Sequence, residues 1–150
     1  MATKARLAEF TLFQNLPAEL LEKISKISSE EVYTTGEVVF REGETADKLH
    51  FLLSGNITLK VKLTSRPEYI TVSAVHQRFE SFGWSGIIPP FHYTASAYCE
   101  QDCKVMTIPG EQFMRLLASD PQAGFLVMQR IAELIASRLR NSRQALLKTL

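Results

Sequence analysis

The hydrophobic period changes twice along this chain, and that double change limits what it can fold into. In "LPAELLEKISKI", Leu20, Leu21, Ile24 and Ile27 share one helical face, and Pro17 suits the first turn. From about Val32 the period becomes two. "NITLKVKL" is the clearest case: Ile57, Leu59, Val61 and Leu63 alternate with Asn56, Thr58, Lys60 and Lys62, giving a half-buried strand with one wet face. "YITVSAV", "YTASAYC" and "KVMTI" read as further strands, punctuated by Gly36, Gly43, Gly55 and Pro67. Strands this short and closely spaced predict an antiparallel sandwich or barrel. Helical spacing returns in "GEQFMRLLASDPQAGFLVMQRIAELIASRLRNSRQALLKTL". The expectation is a mainly β fold with flanking helices.

Asp120 before Pro121 makes an N-cap and first-turn pair for the last helix. Met128, Ile131, Ile135, Leu139 and Leu146 then recur at helical spacing. A helix over 121–150 is about 45 Å long, whereas a globule of this chain length is only about 35–40 Å across. Apolar residues on the overhang need a partner. Met128, Ile131, Ile135 and Leu139 are therefore the expected seam of a homodimer, with Arg138 beside it, so that parallel helices bring two like charges close unless Glu133 or solvent screens them.

Composition excludes several classes. A net charge of +1 selects neither nucleic acid nor an anionic membrane. The opening "MATKARLAEFTLFQ" is too polar for a signal peptide, and no apolar run reaches the 18 or more residues of a membrane span. The cytoplasm is the expected compartment. Cys99 and Cys103 flank "EQD", read as a turn that makes them face each other near a hairpin; buried thiols are the default and a redox pair the lesser reading. No metal site is expected, because His50 and His76 lack neighbouring ligands and C-x₃-C is poor metal spacing. No nucleophile–base pair or catalytic glycine signature points to an enzyme. "RLRNSRQALLK" is basic, which suits a helix C-terminus without further purpose.

"GEVVFREGETADKLHFLLSGNITL" is similar to the strand–turn–strand signature of cyclic-nucleotide-binding domains, as in catabolite activator protein and protein kinase regulatory subunits. In that signature Gly36 and Gly43 allow tight turns, Asp47 closes a loop and Gly55 ends a strand. "LFQNLPAELLEKI" resembles the opening segment of the family, and "CKVMTIPGEQFMRLL" its last strand passing into the next helix. The resemblance spans roughly residues 10 to 145. It implies a β-roll of the jelly-roll type with N-terminal helices over about 10–120, and a C-terminal dimerisation helix over 121–150. It implies no cofactor.

In that family a phosphate-binding cassette presents backbone N–H groups to the ligand. A Glu takes the ribose hydroxyl, and an Arg before a Ser/Thr–Ala pair neutralises the phosphate. In "FGWSGIIPPFHYTASA", Gly83, Ser85 and Gly86 align with the cassette opening and Thr94–Ala95 with the pair. Trp84 stands at the Glu position and Tyr93 at the Arg position. Losing an arginine fork on a phosphate removes about 2–5 kcal/mol, so cyclic AMP and cyclic GMP are expected to bind weakly or not at all. Gly83, Ser85, Gly86 and Thr94 are expected to keep a residual anion site. Trp84 can stack on a flat ligand, with packing the preferred reading. His92 can lend a positive charge, but alternation turns it outward from Tyr93.

Two roles compete. One is a regulatory sensor for a small anionic or nucleotide-like ligand, acting on an unidentified downstream protein. The other is a degenerate module that serves dimerisation or docking. No helix-turn-helix segment follows the long helix in this sequence, so specific DNA binding is not expected of it.

Overall fold

The computed structural model describes residues 4–148. A short helix α1 (Lys4–Leu7) and a 3-10 turn (Thr11–Phe13) lead into α2 (Ala18–Ile27). Six strands follow: β1 (Ser29–Tyr33), β2 (Val38–Phe40), β3 (Lys48–Lys62), β4 (Tyr69–Val75), β5 (Ser81–Phe82) and β6 (Ser96–Pro109). The chain closes with α3 (Gly110–Ser119) and α4 (Pro121–Lys148). Thr149 and Leu150 of the expected last helix lie outside the described residues. All strand pairs are antiparallel, in the order β1-β6-β3-β4, with β2 on β6 and β5 on β3. This is the β-roll expected between the two helical ends.

The long strands β3 and β6 form a wall between two cores. Leu49, Phe51 and Leu53 of β3, with Met106 and Ile108 of β6, face a helical core built on Phe10, Phe13, Ile24 and Phe113. Leu52, Ile57 and Leu59, with Cys103 and Val105, face the roll interior beside Phe40, Phe82 and Tyr93. Period-two alternation sends neighbouring side chains to opposite sides of the wall, so the first half of β3 is buried on both faces.

Three sequence readings are corrected here. "YTASAYC" and "KVMTI" belong to one strand, β6, which begins at Ser96; Thr94 and Ala95 lie in the bend before it. "EQD" is no hairpin turn, and Gly55 ends no strand. Both lie where β3 and β6 slip register around Asn56↔Gln101, a bulge that bends the wall. Gly55 sits at φ 89° with its pro-Cβ position 2.5 Å from the Asp102 carbonyl oxygen, so a side chain fits neither the backbone nor the space. Cys99 and Cys103 consequently lie on one strand as buried free thiols. Burial, with a hydrogen bond donated to Cys99, pushes the Cys103 thiol up to about 12, which leaves it protonated and unreactive.

The start of α4 follows its sequence. The Asp120 carboxylate accepts the Ala123 N–H at 3.2 Å, as an N-cap should. Ala123, Gly124, Val127 and Ile131 are buried against the helical core. Ile131 is therefore withdrawn from the expected dimer seam, since at 1% exposure it already lies within the helical core. Beyond it, Leu139 and Leu146 are 59% and 61% exposed. No helix among the described residues is long and apolar enough to cross a membrane.

Candidate ligand-binding site

Between β5 and β6 the backbone makes a compact loop. Gly83 takes the left-handed conformation, φ 71° and ψ 40°, and opens a three-residue 3-10 turn, Trp84–Gly86. Its pro-Cβ position lies 2.7 Å from His50 Nδ1, so only glycine fits there. Gly86 N–H donates to the Gly83 carbonyl at 3.1 Å, and Ile87 N–H to Trp84 at 2.9 Å. Two amides that an anion needs are thus spent within the turn.

The segment after the Pro-Pro corner is held by the turn at Gly43. Tyr93 N–H donates to the Glu44 carbonyl at 3.0 Å, and Gly43 N–H to the Tyr93 carbonyl at 2.8 Å. This pairing turns Tyr93 inward, where it stacks on Phe40 with ring centroids 3.8 Å apart. Burial raises its phenol above the usual range, and the nearby Asp47 adds to that. His92 points out to solvent, with Nδ1 2.9 Å from the Pro90 carbonyl oxygen. Beneath them His50 is buried among Phe40, Phe82 and Tyr93, and its Nδ1 has no hydrogen-bond partner. Burial, aided by the Lys48 charge, pulls this imidazole from 6.5 down to about 3.

Gly83, Trp84, Ser85, His92, Tyr93, Thr94 and Ala95 all line one cavity of about 460 Å³, a size that suits a small molecule. Gly86 does not. Its pro-Cβ position is 2.1 Å from the Lys48 carbonyl oxygen, so it is glycine for packing. It faces a separate apolar cavity of about 680 Å³ with Ile87, Phe91 and Met114. Gly86 is thereby removed from the expected anion cradle.

The far wall of the 460 Å³ cavity is α4, through Ile135, Arg138 and Ser142. Arg138, expected beside the dimer seam, is engaged within its own domain. Its Nη2 donates to Glu80 Oε2 at 3.0 Å and to the Ser81 carbonyl at 3.2 Å, and its guanidinium lies 4.4 Å from the Trp84 ring centroid. The Trp84 indole N–H in turn donates to Ser81 Oγ at 3.0 Å. Trp84 is therefore a packing residue whose partner is a cation. Sequence reasoning missed Arg138 as a site residue; the one local sign was that it stands three residues after Ile135, on the helix's inner side. Burial lowers the Arg138 pKa, with Glu80 acting the other way.

The fold has counterparts among known proteins. Residues 30–120 match the family model for the cyclic nucleotide-binding domain. The structure is similar to that of a protein of Geobacter metallireducens GS-15 classed as cyclic nucleotide-binding, at 32% identity and TM-score 0.79, covering 93% of this chain and 99% of that one. It is similar in fold to Thermus thermophilus catabolite activator protein, at 24% identity and TM-score 0.73, over 90% of this chain and 61% of that one. Among curated proteins, glutaminase 1 of Bradyrhizobium diazoefficiens is 26% identical over 133 residues, 89% of this chain; the chain spans only 21% of that relative's length. By its strand signature, its roll and these matches, the chain belongs to the cyclic nucleotide-binding domain family.

Proposed function

We propose that this domain is a regulatory sensor of a small anionic or nucleotide-like ligand, with no catalytic activity of its own. The observation that carries the reading is the cavity shared by the cassette and α4. One helix lines the site through Arg138 and also projects an uncovered apolar edge, so occupancy and partner contact meet on the same element. Cyclic AMP and cyclic GMP bind weakly in this reading. Trp84 and Tyr93 replace the charged groups that the family uses, and both are committed to packing.

The projecting edge also supports pairing with a second copy. Phe125, Ala132, Leu139 and Leu146 recur every seven residues, with Met128, Ile135 and Ser142 three residues on from the first three. That is a heptad seam, the pattern of paired helices. Pairing of two such helices buries about 800 Å² per partner at the usual interface size, and the dimer presents the sensor to a downstream protein.

A degenerate module is the second reading, favoured by the Phe40–Tyr93 stack, which fills room beneath the cassette. A thermal-shift screen of nucleotides and small anions separates the two. The sensor reading predicts at least one reproducible rise in melting temperature with a change in Trp84 fluorescence. No shift from any compound, with Trp84 emission constant, gives the degenerate reading.

A further inference from the structure

We propose that Arg138 is the anion anchor of the cavity: a ligand's carboxylate or phosphate group takes the guanidinium over from Glu80 while Trp84 holds its plane. The counter-charge missing from the cassette strand is thereby supplied by α4. This rests on the sensor reading and names its ligand class, a small anion on an apolar or flat body.

Arg138 is the only formally charged side chain among the described residues lining the cavity. The remaining wall combines apolar groups such as Leu59, Val72 and Ile135 with the hydroxyls of Ser85 and Thr94. Such a lining takes an apolar body and admits one anionic group, at the guanidinium. Stacking on Trp84 fixes the plane of the guanidinium without using its N–H edge. Both of its hydrogen bonds among the described residues run through Nη2, so release of Glu80 frees one Nη2 N–H to form a bidentate fork with Nη1 or Nε.

Exchange of partners is chemically balanced. The Arg138 and Glu80 side chains are 20% and 21% exposed, so the cation sits where a second oxyanion interacts strongly. Burial lowers its pKa, with Glu80 acting the other way. Glu80 is not stranded when released, because its Oε1 still accepts the N–H groups of His76 and Gln77 at 3.3 and 3.2 Å. One carboxylate is exchanged for another anion, and α4 carries the exchange to the seam.

The test titrates the full chain with benzoate, inorganic phosphate and cyclic AMP, read by calorimetry and by the fluorescence of Trp84, the single tryptophan. Benzoate and phosphate separate a carboxylate on a flat body from a bare phosphate. Glu80→Gln removes the competitor and is expected to tighten binding of the favoured probe by about tenfold or more; Arg138→Gln is expected to weaken it by at least about tenfold. Arg138→Lys, which keeps charge but loses the fork, falls between wild type and Arg138→Gln. Circular dichroism checks each variant; if Arg138→Gln fails to fold, the Glu80→Gln and Arg138→Lys arms decide. Equal binding by wild type, Arg138→Gln and Glu80→Gln overturns the anchor and leaves the sensor reading standing. No binding of any probe at millimolar concentration, to wild type or to Glu80→Gln, overturns the anchor, and a screen without a hit then removes the sensor reading as well.

Discussion

The helical pole and the cassette pole of this domain are held by different kinds of contact, and α4 runs from one to the other. At the helical pole, Phe10, Phe13, Phe51 and Phe113 pack in stacked and tilted pairs around Leu and Ile side chains, with Val127 and Ile131 of α4 closing the cluster. At the cassette pole the second half of α4 makes its contacts through Ile135, Arg138 and Ser142, above a buried histidine whose Nδ1 is unpaired. Dispersion and burial hold the first pole in one arrangement. At the second, Arg138 is held by polar contacts to Glu80 and the Ser81 carbonyl and by the Trp84 ring. The two poles are joined by one helix, α4.

The largest test of that contrast is along α4 itself. Ile131→Ala opens a cavity in the helical core and is expected to cost about 2–5 kcal/mol in urea denaturation. Leu139→Asp, one residue past two turns further on and exposed, is expected to stay within about 0.5 kcal/mol of wild type. It should instead halve the mass seen in light scattering from about twice 16.9 kDa. Equal destabilisation by the two changes breaks the comparison; a wild-type monomer at high concentration removes the seam.

A smaller effect is expected with pH at the other pole. The unfolded chain protonates His50 near 6.5, whereas the folded chain does so only near 3. The unfolded state therefore binds the extra proton between these values, and stability falls as pH drops from 6.5 toward 3. The slope from this group reaches about 1.4 kcal/mol per pH unit and ends below 3. His50→Leu should flatten the acid limb of stability against pH by that amount, and an unchanged limb places the imidazole in contact with water.

Much of the fold was legible because its cause is local. Alternation in "NITLKVKL" and helical spacing in "LPAELLEKISKI" each report which face is buried, without reference to distant residues. Gly36 and Gly43, at φ 92° and 89°, are the tight turns their spacing suggested. The bulge at Gly55 was not legible, because a bulge and a turn call for the same residue types. Nor was the fate of Ile131: it and Ile135 share one broad helical face, and only the packed fold buries the first fully and the second in part. At the site, Tyr93 is inward and His92 outward as read, although the backbone pairing with the Gly43 turn and no strand of the sheet sets it, and the cavity gathers Gly83, Trp84, Ser85 and Thr94. Gly86 misled because a glycine needed for close packing looks the same in sequence as one needed for a ligand. Arg138 and Glu80 stand 58 residues apart, and no local pattern pairs them.

The proposed sensor reading places Trp84 and Tyr93 where the family's cassette carries Glu and Arg. Calorimetric titration of the intact chain with cyclic AMP and cyclic GMP tests this most directly. The account predicts dissociation constants in the high micromolar range or weaker, since a missing fork and ribose contact remove several kcal/mol from a nanomolar-class site. A nanomolar or low-micromolar constant for either nucleotide contradicts it.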